Sequence, residues 1–205
     1  SVTGDFITFL DADDFMLPHH LETLLARYRE LQERPGNERT VVYANGWLCT
    51  PSGVNADRPQ YRERMPAADQ QRSVMLEYNI GSLYGLFPRA FFREVGCFDP
   101  EQVFVEDWEL WLRAVYSGWR FDRVDDVTTV LAWSGGSMQS QRDRMAAGEE
   151  MALRKTLARF ERSMTSDERA KLLHRLRNGS PLAATSNAEQ AMRDGREEDA
   201  KYYLD

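Results

Sequence analysis

Long apolar runs are missing from this chain of 205 residues. No stretch approaches the 18 or so uninterrupted apolar residues that a membrane-spanning helix needs. Lysine is nearly absent, with only Lys155, Lys171 and Lys201, all near the C-terminal end. A catalytic lysine in the main body is thereby excluded. Cysteine is limited to Cys49 and Cys97. Two thiols make neither a disulfide framework nor a zinc-ligand pattern, and they are expected to be reduced, as in a cytoplasmic protein. The opening residues lack the basic and apolar regions of a signal peptide. A net charge of −7 argues against a nucleic-acid binder. Hydrophobic residues at 42% and aromatics at 11% supply enough apolar surface for a packed core.

Charge is unevenly divided. Residues 142–178 hold ten Lys/Arg against six Asp/Glu, a net of +4, which leaves −11 on the rest. An acidic body therefore carries a basic helical tail. One reading of the tail is contact with an anionic membrane surface, and the other is a solvated helix packed on the main body.

The hydropathy pattern predicts alternating strands and helices. Residues 6–10 (FITFL) form a short apolar run that reads as a strand buried on both faces of a parallel sheet. Such a strand needs neighbours on both sides, and few candidates follow. The chain is therefore expected to lack the N-terminal part of its domain. Leu21, Leu24, Leu25, Tyr28 and Leu31 follow helical spacing after Pro18. Residues 40–49 predict a second strand, and residues 51–72, polar and aperiodic, a surface loop. Short helices are expected near 73–78 and 88–95, with an apolar strand at 80–87 between them. A strong amphipathic helix is expected over 106–117 and a strand over 120–133. Residues 139–176 read as one continuous helix, and residues 187–204 as a final helix or bent helix pair.

The chemistry concentrates at two places. Asp11, Asp13 and Asp14 stand where the first strand leaves the sheet, the position at which open α/β sheets bind ligands. Three neighbouring carboxylates repel one another unless a cation joins them, and hard oxygen ligands suit Mg²⁺ or Mn²⁺. The alternative is a turn rich in aspartate, with Asp14 capping the next helix. An EF-hand is excluded because Met16 occupies the position that needs glycine. The second place is Glu106–Asp107 at a helix start, where the dipole favours negative charge. A carboxylate there can serve as a general base, although acidic residues are common in any first turn. His19 and His20 lack the i, i+4 spacing of a helical metal pair and are expected to be solvated or partly packed. Trp111 is expected in the core.

These segments, in this order, resemble the GT-A glycosyltransferases, and within them the inverting family 2 group. "GDFITFLDADDFMLPHHLETLL" resembles their Asp-x-Asp strand and following helix. "GSLYGLFPRAFFREVGCFDP" resembles the segment before their catalytic helix, "VEDWELWLRAVYSGWRF" that helix, and "VLAWSGGSMQS" the loop closing the site. The resemblance covers residues 1 to about 140 and matches the C-terminal part of the family's catalytic domain. It implies an α/β fold with a GT-A-like mixed sheet flanked by helices, apparently lacking its N-terminal half, in residues 1–138. Residues 139–205 would form a helical extension. Their last part faintly resembles one tetratricopeptide-type hairpin, through Ala188, Ala191, Gly195, Ala200 and Tyr203.

The implied reaction is inverting transfer of a sugar from a nucleoside-diphosphate sugar to a hydroxyl acceptor, which could be a glycan, a lipid-linked sugar or a protein. Asp11 and Asp13 would hold the divalent metal (Mn²⁺ or Mg²⁺) and the donor. Asp107 would be the base, and Glu106 would orient it or contact the acceptor. Trp133 and Ser137, in the closing loop, are expected on the cofactor side, with Trp133 also suited to stacking on the acceptor. Ser134 stands where many relatives carry a histidine, and Ala132 where they often carry an arginine. The implied location is cytoplasmic, at the inner face of the membrane if the basic tail touches it. Two other readings compete. One is a degenerate transferase fragment acting as a non-catalytic binding module. The other is a haloacid-dehalogenase-type phosphohydrolase, disfavoured by Phe15 and by the lack of a lysine outside the tail.

Overall fold

The computed structural model describes residues 3–50, 53–132 and 141–179. The chain is mixed α/β: a mixed sheet with flanking helices. It divides into two compact units, Ser1–Cys97 with Leu110–Gly135, and Phe98–Glu109 with Gly136–Asp205. Among the described residues no helix is long and apolar enough to cross a membrane.

The first unit is built on two long parallel strands. Strand β3 (Thr40–Thr50) pairs with β6 (Arg120–Ala132) from Thr40↔Arg120 to Cys49↔Ala132. The run TVVYANG of β3 is buried without alternation, as expected of a strand covered on both faces. Two short strands, β1 (Phe6–Ile7) and β2 (Phe15–Met16), precede helix α1 (His20–Gln32). Strand β2 lies antiparallel on β6, and β4 (Gly53–Pro59) folds back antiparallel on β3, giving the order β2-β6-β3-β4. The register of β3 on β6 shifts around Asn45, so that Ala44 faces Val124 but Asn45 faces Val127. Asp125 and Asp126, both exposed, are left out there, and Thr128, which is buried, is left out at a second shift before Gly46↔Thr129. Gly46 follows this bulge because a Cβ there would come within 2.4 Å of Leu131 Cδ1 and 2.6 Å of Thr129 Oγ1.

Leu24 and Leu31 of α1 pack with Val42, Ala44 and Leu86 as one core cluster. A second cluster is aromatic. Helix α2 (Gln71–Met75) precedes β5 (Phe87–Pro88) in the chain, and helices α3 (Arg89–Val95) and α4 (Glu106–Tyr116) follow it. Trp111 stacks on Phe87 at 5.2 Å and 10°, with Phe91, Trp119 and Phe121 around them. Trp111 is fully buried, as its spacing predicted. Gly81 lets its ring approach, since a Cβ there would lie 2.7 Å from Trp111 Cδ1.

In the second unit, α5 (Arg142–Phe160) and α6 (Ser166–Asn178) are separated by a 3₁₀ turn, Glu161–Ser163. Gln102 Nε2 donates to the carbonyls of Phe104 and Gly148, at 2.7 and 2.9 Å. Lys155 pairs with Asp99 at 2.9 Å and Arg175 with Glu149 at 2.8 Å, so part of the tail's basic charge is used internally.

Several expectations change. Residues 6–10 do not form a strand buried inside a parallel sheet. Only Phe6 and Ile7 enter a ladder, antiparallel to β5, and Leu10 is 51% exposed. The apolar run is short because Gly4-Asp5 and the aspartates flank it closely; Phe6 packs edge-on against Tyr28 and Phe9 against Phe87. The loop expected at 51–72 contains β4, held by backbone pairing that polar sequence does not reveal. The single helix expected over 139–176 is two helices. Thr165 forms a capping box with Glu168 and so starts a new one. The expected helix pair at 187–204 lies outside the described residues.

Candidate functional site

The Asp11–Asp14 segment is a tight turn between β1 and β2, with Asp14 N donating to Asp11 O at 3.2 Å. Two of its three carboxylates converge on one phenol. Tyr84 Oη lies 2.9 Å from Asp11 Oδ2 and is also hydrogen-bonded to Asp14 Oδ2. The other oxygen of Asp14 accepts from Ala132 N at 2.7 Å, tying the turn to the end of β6. Asp14 therefore does not cap α1; that helix starts at His20, with His19 at the N-cap and no side-chain cap. Asp13 is exposed, with no hydrogen bond to another described residue.

Tyr84 is 6% exposed, and burial together with the two carboxylates pushes its phenol far above the ordinary tyrosine range. It stays protonated and remains a donor. Its single phenolic proton is shared between the two carboxylate oxygens. His20 lies beside this arrangement, 1% exposed, with Nδ1 2.7 Å from Thr128 Oγ1 and Nε2 buried without a hydrogen-bond partner among the described residues. Burial, then the neighbouring His19, lowers its pKa; the Tyr84 backbone works in the opposite direction. Sequence spacing left His20 solvated or partly packed. The structure buries it because the turn through Leu17, whose N–H donates to Thr128 O at 2.8 Å, brings the start of α1 onto β6. Tyr84 is the site residue that sequence reasoning missed. It sits in an apolar stretch without periodicity, and only a polar tip inside that stretch hinted at a role.

Carboxylate oxygens are the donor chemistry a hard divalent cation takes. Among the described residues no three His, Cys, Asp or Glu side chains form a ready-made cation cage.

Glu106 and Asp107 belong to the second unit, in the first turn of α4, and both are half-buried. Trp108 N donates to Asp107 Oδ1 at 2.7 Å. Val105, immediately before them, has φ 52°, a left-handed conformation that a β-branched residue adopts only under strain of about 1–3 kcal/mol. Its carbonyl accepts the helical bond from Glu109 N at 3.0 Å. The strain thus sits where the acidic pair is presented. Trp133, Ser134 and Ser137 lie outside the described residues.

No protein-family model matches the chain. It is similar to a protein of Escherichia coli (strain K12) named "Putative colanic acid biosynthesis glycosyl transferase WcaA", with 26% identity over 136 residues. The match covers 66% of this chain and 46% of that protein, so the chain spans less than half the length of this relative.

Proposed function

We propose that the chain is a glycosyltransferase catalytic segment of GT-A type, resembling family 2, which transfers a sugar from a nucleoside-diphosphate donor to a hydroxyl acceptor with inversion. The observation that carries the reading is an Asp-x-Asp turn, with Asp11 and Asp14 on Tyr84 and Asp13 exposed, in a chain similar over two thirds of its length to a glycosyl transferase. Asp11 and Asp13 hold Mn²⁺ or Mg²⁺ and the donor diphosphate. When bound, the cation supplies charge neutralisation at the leaving diphosphate. Asp107 accepts the proton of the acceptor hydroxyl, and Glu106 orients that group. Tyr84 positions Asp11 and Asp14 and keeps Asp13 as the carboxylate free to reach a ligand. Trp133 and Ser137 contact donor or acceptor. The acceptor is a glycan, a lipid-linked sugar or a protein, reached in the cytoplasm. The domain reading keeps residues 1–138 as transferase and 139–205 as a helical extension.

Asp107→Asn tests the reading through turnover. It should lower transfer by about three orders of magnitude, in the range that loss of a general base gives, while leaving donor binding intact. Transfer surviving this change would remove Asp107 from the role of base. No transfer in the unsubstituted chain, alone or extended, would favour the non-catalytic module instead.

A further inference from the structure

The first unit contains a cleft of about 810 Å³ whose wall shares no residue with the Asp11–Tyr84 cluster. Arg27, Asn45, Tyr61, Arg62, Arg64 and Arg123 supply its polar lining. Its charges are unequal. Four arginines stand against two aspartates, Asp122 and Asp125, for a formal +2. Asp122 is already neutralised, since Arg27 grips it with Nε at 2.7 Å and Nη2 at 3.0 Å. Asp125 is 89% exposed and 3.3 Å from Arg123, and an ion pair to so solvated a carboxylate contributes little.

Arg123 is the unusual member. Its side chain is 7% exposed, yet its Nε has no hydrogen-bond partner among the described residues. Nη2 donates to Glu63 O at 2.6 Å, and the guanidinium lies 5.5 Å from the Tyr61 ring. The guanidinium also meets the Tyr43 phenol, but among the described residues its Nε is left without an acceptor and its ion pair is to an exposed carboxylate, which is costly unless an anion completes it. Arg62 and Arg64 are exposed, with no hydrogen bond or ion pair to another described residue. The wall itself is fixed. The Asn45 amide donates to Tyr61 O at 2.7 Å and accepts from Tyr61 N at 2.9 Å, and Tyr61 Oη donates to Gly81 O at 2.9 Å.

We propose that this cleft binds a phosphorylated sugar or a phosphate monoester of similar size. Guanidinium forks match phosphate oxygens, and a phosphate dianion balances the +2 lining. The volume far exceeds one phosphate, which leaves room for a sugar against Pro59 and Met65. The inference is independent of the transferase reading.

Calorimetric titration of the full chain with glucose 6-phosphate tests it, with glucose and inorganic phosphate as controls. Saturable binding is expected that glucose does not give, weakened about ten-fold in Arg62→Gln/Arg64→Gln. Those two side chains are exposed, so the variant folds. Binding should persist in Asp13→Ala, and the Arg123 Nε–H resonance should move on titration. Absence of saturable heat, equal binding of glucose, or no change in the double variant would overturn the proposal. Inorganic phosphate binding as tightly would overturn the sugar component, and loss of binding in Asp13→Ala would assign the ligand to the aspartate turn instead.

Discussion

Tyr84 holds a single proton between Asp11 and Asp14, and two predictions belong to this scale. Tyr84→Phe removes the shared donor and leaves the carboxylates facing each other. It should lower stability by about 1–3 kcal/mol, the range for hydrogen bonds to charged groups, read from urea unfolding. An unchanged midpoint would show that the phenol holds neither carboxylate. His20 supplies a pH dependence. Its pKa is depressed in the folded chain by burial, while the unfolded chain titrates near the ordinary 6.5. Below that value the unfolded chain binds the extra proton first, so stability is fully present above about pH 6.5 and lost as pH falls. His20→Asn should show a shallower loss of stability than the parent between about pH 7.5 and 5.5. An equally steep loss would assign the pH dependence to other groups. The aspartate turn stood out in the sequence because three carboxylates in four residues are an unusual charge density. Tyr84 and His20 were not, since their partners are 70 to 108 residues away.

At the scale of elements, periodicity found what is long and local. Helix α4 and strand β6 lie within a residue of their expected bounds because their patterns run for about three turns and thirteen residues. Arg113 secures the turn before α4's aromatic face by donating to Val95 O and Cys97 O, both at 2.8 Å. Short elements escaped. Strands β1 and β2 hold two residues each and are defined only by pairing with distant partners, whereas β4 is polar and is defined by the hairpin it makes with β3. Gly46→Ala should destabilise the β3–β6 pair by about 1–3 kcal/mol, as overpacking does, since Leu131 and Thr129 must move. A neutral result in thermal unfolding would mean that the bulge absorbs the methyl group. Thr165→Ala removes the capping box that separates α6 from α5 and should cost about 1 kcal/mol, with lower helicity by circular dichroism. Unchanged helicity would mean that the break is held by packing rather than by the cap.

For the whole molecule, the acidic body and basic tail read from composition correspond to a chain in which tail cations pair internally, as Lys155 does with Asp99 and Arg175 with Glu149. The α/β class and mixed sheet were legible. The way β2 and β4 flank the parallel pair was not, because order across a sheet leaves no trace in hydropathy. The central claim is that the Asp11–Asp13 turn binds a nucleoside diphosphate through a divalent cation. Calorimetric titration with UDP and GDP, with and without Mn²⁺, tests it most directly. The account predicts saturable, Mn²⁺-dependent binding of one of them that Asp13→Ala abolishes. Binding that is indifferent to Mn²⁺ or unchanged in Asp13→Ala, or no binding under any condition, would contradict it.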